Sequence, residues 1–288
     1  MPTADLNGVK IHYQRAGKGP ELVMIHGLAA NLAFWYFRIL PALVQDFCVT
    51  IYDLRGHGKS DMPPSGYTSA QMVIDLHALM DHLGVGKTHL VGHSFGGEIA
   101  LHYTALHPER VLSLTLADAR VRALQPFQRL KDWSDGGIAR RGLENLGIFI
   151  SEDELEVGHR LLEEFAEIQR LGPTKHSSEG GDIFVPFRSG LRGKRTAERW
   201  LCLFRTTSAK EEFRSRSGLT LNKIRRIGLP VLAIYGERSR CLRTLHGLQK
   251  SLPNCQTVII PGAGHFHPVV LPGIFVQRLR GFLLDSAR

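Results

Sequence analysis

A serine between glycines is the feature of this sequence that points most directly to chemistry. Gly92-His93-Ser94-Phe95-Gly96 fits the pattern G-x-S-x-G and stands between an apolar run, residues 88–92, and a helix-forming stretch, residues 95–106. In that context the chain makes a sharp turn that holds the serine in a strained conformation. Glycine is needed at both flanking positions, because a side chain there would collide with the serine. A phosphate-binding loop would need a Gly-Lys-Ser/Thr ending, which the sequence lacks here. We therefore predict that Ser94 is a nucleophile.

A second group must activate this serine, because a hydroxyl is a weak nucleophile at neutral pH. Histidine suits the task, since its ordinary pKa lies close to neutrality. The chain has 14 histidines, so residue type alone does not select the base. His93 adjoins the serine and His26 ends another apolar run, and we interpret both as structural residues that hydrogen-bond to the backbone.

The residues around Ser94 belong to a longer alternation of apolar runs and helix-forming segments. Residues 68–83, for example, have their apolar side chains on one helical face and stop at Gly84, which predicts a helix. Repeated strand–helix alternation with short connections predicts an α/β fold with a mostly parallel sheet flanked by helices. The predicted strands are residues 9–14, 21–25, 47–52, 88–92, 111–117, 231–235 and 257–260.

The alternation is interrupted after Asp118. From there onward the sequence has amphipathic helical stretches, such as residues 153–170, separated by clusters of glycine, proline and serine. Strand–helix alternation resumes only at residue 231. We therefore predict an α/β core made of two parts of the chain, residues 1–119 and residues 218–288, with residues 120–217 inserted as a mainly helical cap.

Four motifs occur in an order that is specific in combination. They are His26-Gly27-Leu28, residues 53–60 (DLRGHGKS), residues 92–97 (GHSFGG) and residues 262–265 (GAGH). In order and approximate spacing they resemble the motifs of the α/β-hydrolase superfamily along nearly the whole chain. The resemblance implies the α/β-hydrolase fold and a triad in the chain order serine, acid, histidine.

The same resemblance implies a base and a pair of oxyanion donors. The family carries its base in the loop after the last strand, a position held here by His265, with His267 as the alternative. Each preorganised oxyanion donor contributes roughly 3–4 kcal/mol of transition-state stabilisation. In the family the donors are two backbone N–H groups, which correspond to Phe95, directly after the nucleophile, and Leu28.

The acid departs from the family pattern. Most relatives have an aspartate in G-x-x-D after the seventh strand, whereas this chain has Gly236-Glu237-Arg238-Ser239. Asp118 ends the strand after the nucleophile helix, and strands six and seven are neighbours in this fold, so their carboxyl ends face the same histidine. We therefore predict Asp118 as the acid, an arrangement that resembles pancreatic-type lipases. Glu237 is the alternative acid, and a dyad or an inactive protein stays open.

Composition argues against several classes of protein. With 43% hydrophobic and 22% charged residues, the chain is unlike disordered proteins. No run approaches the roughly 18 apolar residues of a membrane span, and the first residues lack an apolar signal segment, so we expect a cytoplasmic protein. The four cysteines show no C-x-x-C pair, so we predict free thiols and neither a metal site nor another cofactor.

The formal charge of +9 comes largely from arginines between Arg120 and Arg226, with clusters at residues 140–141, 192–195 and 225–226. Such clusters are typical of a solvated basic face, but also of a mouth that attracts anionic substrates. No recognised nucleic-acid module or aromatic platform accompanies the charge. We therefore expect a small acyl substrate, anionic if the arginines line its entrance, and no nucleic-acid partner. The oligomeric state stays open.

We predict hydrolysis of a carboxylic ester or thioester through an acyl-enzyme at Ser94. A serine there argues against haloalkane dehalogenases and epoxide hydrolases, since resemblance to those families would require aspartate. Carbon–carbon hydrolases, lyases and perhydrolases stay open, as does a receptor or binding protein with slow turnover on the same fold. Aromatic residues of the predicted cap are candidates for an acyl pocket: Phe127, Trp133, Phe149, Phe165, Phe184, Phe187, Trp200 and Phe204.

Overall fold

The computed structural model describes residues 2–133, 136–151, 153–171, 187 and 190–286. Its described strands form one eight-stranded sheet. They are β1 (Thr3–Leu6), β2 (Val9–Ala16), β3 (Glu21–Ile25), β4 (Cys48–Tyr52), β5 (Thr88–His93), β6 (Val111–Ala117), β7 (Val231–Gly236) and β8 (Cys255–Ile260).

The sheet is antiparallel at one edge and parallel elsewhere. Its strand order is β1-β2-β4-β3-β5-β6-β7-β8. β2 pairs antiparallel with β1 and with β4, and every other neighbouring pair is parallel. The direction of winding reverses between β3 and β5, and open α/β sheets bind ligands beyond the carboxyl ends of the strands at such a point. The loops after β3 and β5 therefore border the expected site.

Helices connect the parallel strands and cover both faces of the sheet. The helices among the described residues are α1 (Ala33–Tyr36), α2 (Leu40–Leu43), α3 (Ser69–His82), α4 (Phe95–Leu106), α5 (Gly136–Asn145), α6 (Val157–Leu171), α7 (Leu191–Thr206), α8 (Ala209–Glu212), α9 (Leu221–Arg225), α10 (Leu242–Ser251), α11 (His267–Val270) and α12 (Pro272–Ser286).

Two hydrophobic clusters lie on the two faces. Along β3, Val23 and Ile25 join the cluster that contains α3 and α4, whereas Leu22 and Met24 join the cluster that contains α1, α2 and α12. This alternation follows from the two-residue repeat of a strand. The helices between β6 and β7 add residues such as Trp200 to the first cluster, so they pack against the cluster that contains α4.

The predicted α/β architecture is confirmed, and β6 and β7 are neighbours as expected. The helix predicted at residues 68–83 is α3, whose N-cap hydroxyl, on Thr68, accepts a hydrogen bond from the Gln71 N–H at 3.2 Å. The strand β1 was not predicted, because its four residues are too few for a periodic signal.

Helices α5 to α8 lie within residues 120–217, the segment predicted to form a cap. The division of the chain at those two boundaries stays a prediction. No helix of the described residues is both long and apolar enough to cross a membrane.

Candidate active site

Ser94 lies in the turn between β5 and α4, in a conformation that non-glycine residues rarely adopt. Its φ is 54° and its ψ is −121°, and such backbone strain costs on the order of 1–3 kcal/mol. A Cβ atom on Gly92 would collide with the carbonyl oxygen of Gly96, and one on Gly96 would collide with that of Ile25. Both glycines are therefore required by close backbone packing, which places Ser94 at the carboxyl edge of the sheet.

The structure brings Ser94, His265 and Asp118 together. His265 Nε2 lies 3.1 Å from Ser94 Oγ, and His265 Nδ1 lies 2.8 Å from Asp118 Oδ1. The Asp118 side chain is fully buried, whereas the His265 side chain is 19% exposed. With Asp118 ionised, Nδ1 holds the proton that is donated to the carboxylate, and Nε2 can accept the proton of the serine.

The neighbouring strand holds Asp118 in place. Asp118 follows β6 in a left-handed conformation with φ 48°, and its backbone N–H donates to the Ile234 carbonyl oxygen at 2.9 Å. Its Oδ2 accepts a hydrogen bond from the Gly236 N–H at 2.9 Å. The hydroxyl of Ser239 donates to Oδ1. Ser239 occupies the position where the family pattern has aspartate, and it contacts the carboxylate that was predicted to replace that aspartate.

The alternative acid and base have other contacts. Glu237 is exposed, and its carboxylate accepts a hydrogen bond from the Gly262 N–H at 2.7 Å. His267 is fully buried and donates from Nε2 to the Ile234 carbonyl oxygen at 3.2 Å. Burial lowers the pKa of His267, which keeps its ring neutral. Asp118, rather than Glu237, therefore bonds His265.

His93 and His26 hydrogen-bond to the backbone, as interpreted from the sequence. His93 donates from Nε2 to the carbonyl oxygen of His265 at 3.0 Å, and burial lowers the pKa of His93 well below its ordinary value. His26 donates from Nδ1 to the Gly27 carbonyl oxygen at 2.7 Å and accepts at Nε2 from the Leu54 N–H at 3.1 Å. These neutral rings fix the two loops on either side of Ser94.

The predicted oxyanion donors border the same pocket as Ser94. Leu28 follows β3 and Phe95 begins α4, and both line the pocket. Within the part of the chain that the structure describes, no hydrogen bond uses the backbone N–H of either residue. Because β3 and β5 are adjacent, two unused donors lie beside the serine.

The pocket beside Ser94 has a volume of about 90 Å³ and one apolar wall, which α6 contributes. That wall consists of Leu161, Leu162 and Phe165. Of the aromatic residues proposed from the sequence, Phe165 alone among the described ones lines this pocket, and Phe184 lies outside the described residues.

The lining of the pocket also includes Arg120 and Arg122, which belong to a buried ion cluster that sequence reasoning missed. Glu156 accepts hydrogen bonds from Arg120 at 2.6 Å and from Arg122 at 2.8 Å. Burial alone would raise the pKa of Glu156, but the hydrogen bonds from both arginines outweigh it and lower the pKa to about 2. The available signal was the pair of arginines two and four positions after Asp118, although nothing in the sequence identified their partner.

Glu98 also lines the pocket, and its environment differs from that of Glu156. Its carboxyl group is buried, and this burial raises the pKa to about 7 even though Arg122 and Arg120 lie nearby. Burial therefore favours the protonated, neutral form of this group more than in an exposed glutamate.

The ligand atoms of Asp118, Cys241 and His265 lie within 4.8 Å of one another, the one such group among the described residues. Metal ligation requires a thiolate, and burial raises the pKa of the Cys241 thiol far above its ordinary value. Asp118 and His265 also bond each other. These donors fit a neutral thiol beside a hydrogen-bonded pair better than a metal centre.

Known proteins resemble the chain along most of its length. A family model described as alpha/beta hydrolase fold matches residues 20–269. The chain is 29% identical over 264 residues to a putative non-heme chloroperoxidase of Synechocystis sp. (strain ATCC 27184 / PCC 6803 / Kazusa), covering 89% of this chain and 88% of that protein. It is 28% identical over 291 residues to a putative 2-succinyl-6-hydroxy-2,4-cyclohexadiene-1-carboxylate synthase of Bacillus subtilis (strain 168), covering 95% of each.

A solved structure extends the likeness. Est816, described as an N-acyl homoserine lactone degrading enzyme, aligns with a TM-score of 0.70 at 25% identity, covering 98% of this chain and 100% of that one. Three further curated relatives match over only 114 or 115 residues, which is between 30% and 40% of their own length.

Proposed function

Because the chain belongs to the α/β hydrolase fold family and is on that ground a hydrolase, we propose that it cleaves a carboxylic ester or thioester through an acyl-enzyme at Ser94. The observation that carries this proposal is the hydrogen-bonded chain from Ser94 through His265 to Asp118. Degradation of a lactone, which is a cyclic ester, is the activity given for Est816 and supports the same class of bond.

Acylation uses each member of this chain in turn. Ser94 Oγ attacks the substrate carbonyl carbon while its proton passes to His265 Nε2. The carbonyl oxygen becomes an oxyanion, to which the N–H groups of Leu28 and Phe95 donate hydrogen bonds. Asp118 stays ionised, orients the ring through Nδ1–H and stabilises the imidazolium. When the bond to the leaving group breaks, His265 returns the proton to the leaving oxygen or sulfur.

Deacylation repeats these steps with water as the nucleophile. His265 Nε2 accepts a proton from water, and the oxygen attacks the acyl carbonyl carbon. The bond to Ser94 Oγ then breaks, Oγ regains its proton from His265, and a carboxylic acid is released. The apolar wall formed by α6 accommodates the acyl group, and a volume of about 90 Å³ suits a short one.

A fluorophosphonate label combined with an ester screen tests the proposal. We expect stoichiometric labelling at Ser94, and faster hydrolysis of short-chain p-nitrophenyl esters than of long ones, with acyl-thioesters assayed in parallel. Ser94→Ala should abolish both signals while circular dichroism stays unchanged. His265→Ala should match Ser94→Ala within about tenfold in kcat, because nucleophile and base act as a unit.

Two results would contradict this proposal. One is a folded wild-type protein that takes up no label. The other is a Ser94→Ala variant that retains more than a small residual rate. A more damaging effect of His267→Ala than of His265→Ala would reassign the base.

Perhydrolysis is a second candidate, favoured by the relative named a non-heme chloroperoxidase. In this reaction hydrogen peroxide replaces water in deacylation, so that the acyl-enzyme releases a peracid. Peracid formation in the presence of hydrogen peroxide and a short carboxylic ester, lost in Ser94→Ala, would support it.

A further inference from the structure

A second cavity, which we call the arginine cavity, lies beside the loop that follows β3. Its volume is about 510 Å³, and Ala30 belongs to its wall and to the wall of the Ser94 pocket. The loops after β3 and β4 form one side and α7 forms the other. The residues that matter for its chemistry are Tyr36, Phe37, Arg192, Arg195, Arg199 and Trp200.

The three arginines of this cavity lie on one face of α7. They are three and then four positions apart, which is the spacing of neighbours along a helical face. No carboxylate of the described residues forms an ion pair with Arg192, Arg195 or Arg199. Elsewhere on the same helix a cation does have an acidic partner, as Lys194 has Glu198 at 4.0 Å. The unpaired cations of α7 are therefore those that face the cavity.

The acidic residue in the cavity wall does not neutralise them. Both oxygens of Asp53 are occupied within its own loops, where they accept hydrogen bonds from the Leu32 N–H at 2.7 Å and from the Lys59 N–H at 2.9 Å. Asp53 also bonds His12 Nδ1 at 2.7 Å. Among the described residues that line the cavity, Asp53 is the one carboxylate, against three arginines and Lys59, so this lining carries a net positive charge.

Two contacts show how these arginines are oriented. Arg199 donates to the Ser60 carbonyl oxygen, and its Nε is buried without a hydrogen-bond partner among the described residues. The guanidinium of Arg192 lies 5.9 Å from the ring centre of Phe37, which is 60% exposed. The cavity thus combines guanidinium groups that have no carboxylate partner among the described residues with an exposed aromatic ring.

We propose that the arginine cavity binds an organic phosphate that carries a flat ring. Guanidinium groups match phosphate oxygens in pairs of hydrogen bonds, so the phosphate lies against Arg192, Arg195 and Arg199. The ring packs against Phe37, whose side chain is exposed. Sites for small organic ligands occupy roughly 300–1,000 Å³, and this cavity falls within that range. The binding itself does not depend on an acyl-enzyme at Ser94.

Calorimetric titration with ADP at low salt tests the site, using the full chain with Ser94→Ala so that no turnover interferes. We expect saturable binding with one ADP per chain. The double substitution Arg192→Ala and Arg195→Ala should weaken it at least about tenfold, because two charge-assisted contacts are lost. The matched control is the double substitution Arg225→Ala and Arg226→Ala, since both residues are exposed and the two substitutions remove the same charge. The affinity of this control variant for ADP should equal that of the Ser94→Ala parent.

No saturable binding of ADP, or equal weakening in both double variants, would overturn the proposal. Because the titration uses the Ser94→Ala chain, its outcome is independent of whether the chain hydrolyses esters.

Kinetics on the Ser94-containing protein distinguish two sources of the phosphate. If the leaving group of the substrate carries the phosphate, Arg192→Ala with Arg195→Ala lowers kcat/KM for an acyl-thioester that has a nucleotide phosphate. The same variant then leaves kcat/KM for a p-nitrophenyl ester unchanged. If a separate ligand carries it, ADP binding is lost while kcat/KM stays unchanged for both substrates. Either outcome supports the site.

Discussion

The pocket beside Ser94 and the arginine cavity are both lined by arginines, but the two regions differ in how those arginines are paired. In the pocket, Arg120 and Arg122 are buried and share the carboxylate of Glu156. In the arginine cavity, Arg192 and Arg195 are exposed and have no carboxylate partner among the described residues. The difference indicates that the first pair stabilises the architecture, whereas the second pair can bind an external anion.

The largest effect should follow from removing the charge of Asp118, which bonds His265 beside the Ser94 pocket. Asp118→Asn keeps the size of the side chain but removes the charge that orients His265 and stabilises its cation, so kcat should fall by roughly 10³- to 10⁴-fold. Glu237→Gln is the control and should remain close to wild type. Steady-state hydrolysis of a p-nitrophenyl ester measures both. Collapse in Glu237→Gln with near-normal Asp118→Asn would transfer the role to Glu237.

A rescue sharpens the same test. Because the hydroxyl of Ser239 contacts Asp118 Oδ1, Ser239→Asp in the Asp118→Asn background places a carboxylate at the same point from the neighbouring strand. We expect partial recovery of kcat in the double variant. No recovery, in a protein with a normal circular dichroism spectrum, would show that the geometry after β7 no longer accepts an acid.

The next effect concerns stability. Glu156→Gln leaves two buried arginines without a counter-charge, and we expect a loss of about 3–5 kcal/mol in the free energy of unfolding. Glu163→Gln is the control, because Glu163 pairs with Lys210 at 2.9 Å in a partly exposed position and should cost less than about 1 kcal/mol. Urea unfolding monitored by circular dichroism measures both. Equal losses would remove the distinction between buried and exposed pairs.

The raised pKa of Glu98 predicts that the stability of the protein depends on pH. Burial raises its pKa from 4.5 to about 7, so between these values the folded protein holds a proton that the unfolded chain has released. The free energy of unfolding should therefore fall as pH rises through this window. Glu98→Gln cannot titrate and should lack this contribution, which amounts to about 3 kcal/mol across the window. Unfolding curves measured at several pH values test this, and parallel pH profiles for both proteins would contradict it.

The smallest effect on stability should come from the arginine cavity. Arg192→Ala with Arg195→Ala removes no ion pair seen in the described part of the chain, so stability should change by less than about 0.5 kcal/mol. Urea unfolding under the conditions used for Glu156→Gln makes the comparison direct. A loss as large as that of Glu156→Gln would show that these arginines hold the fold together, and the contrast between the two regions would fail.

The sequence predicted the sheet and the positions around Ser94 because both are encoded locally. Ser94 is identified by two glycines within two residues, and each parallel strand is a short apolar run. The contact between Asp118 and His265 could be predicted because strand adjacency in this fold is regular. In each case the signal lies in a few consecutive residues or in a repeated pattern.

The remaining contacts depend on the tertiary structure. Glu156 lies 36 positions from Arg120, and nothing in its local sequence indicates two arginine partners. The sequence showed that Ser239 stands where the family pattern has an acid. It did not show that the Ser239 hydroxyl bonds Asp118, because that contact depends on the direction of the side chain. For the same reason the sequence grouped the arginine clusters together, whereas the structure places Arg192 and Arg195 in a cavity wall.

The turn at Ser94 has a consequence for how such a protein can change over evolutionary time. Its shape is set by Gly92 and Gly96, where any added side chain collides with backbone atoms, whereas the side chain of residue 94 borders a pocket. A change of nucleophile therefore alters one side chain and leaves the backbone as it is. A change at either glycine would disturb the backbone turn that any nucleophile needs. Position 94 can therefore vary in its chemistry more freely than the flanking glycines, which are held by the backbone atoms around them.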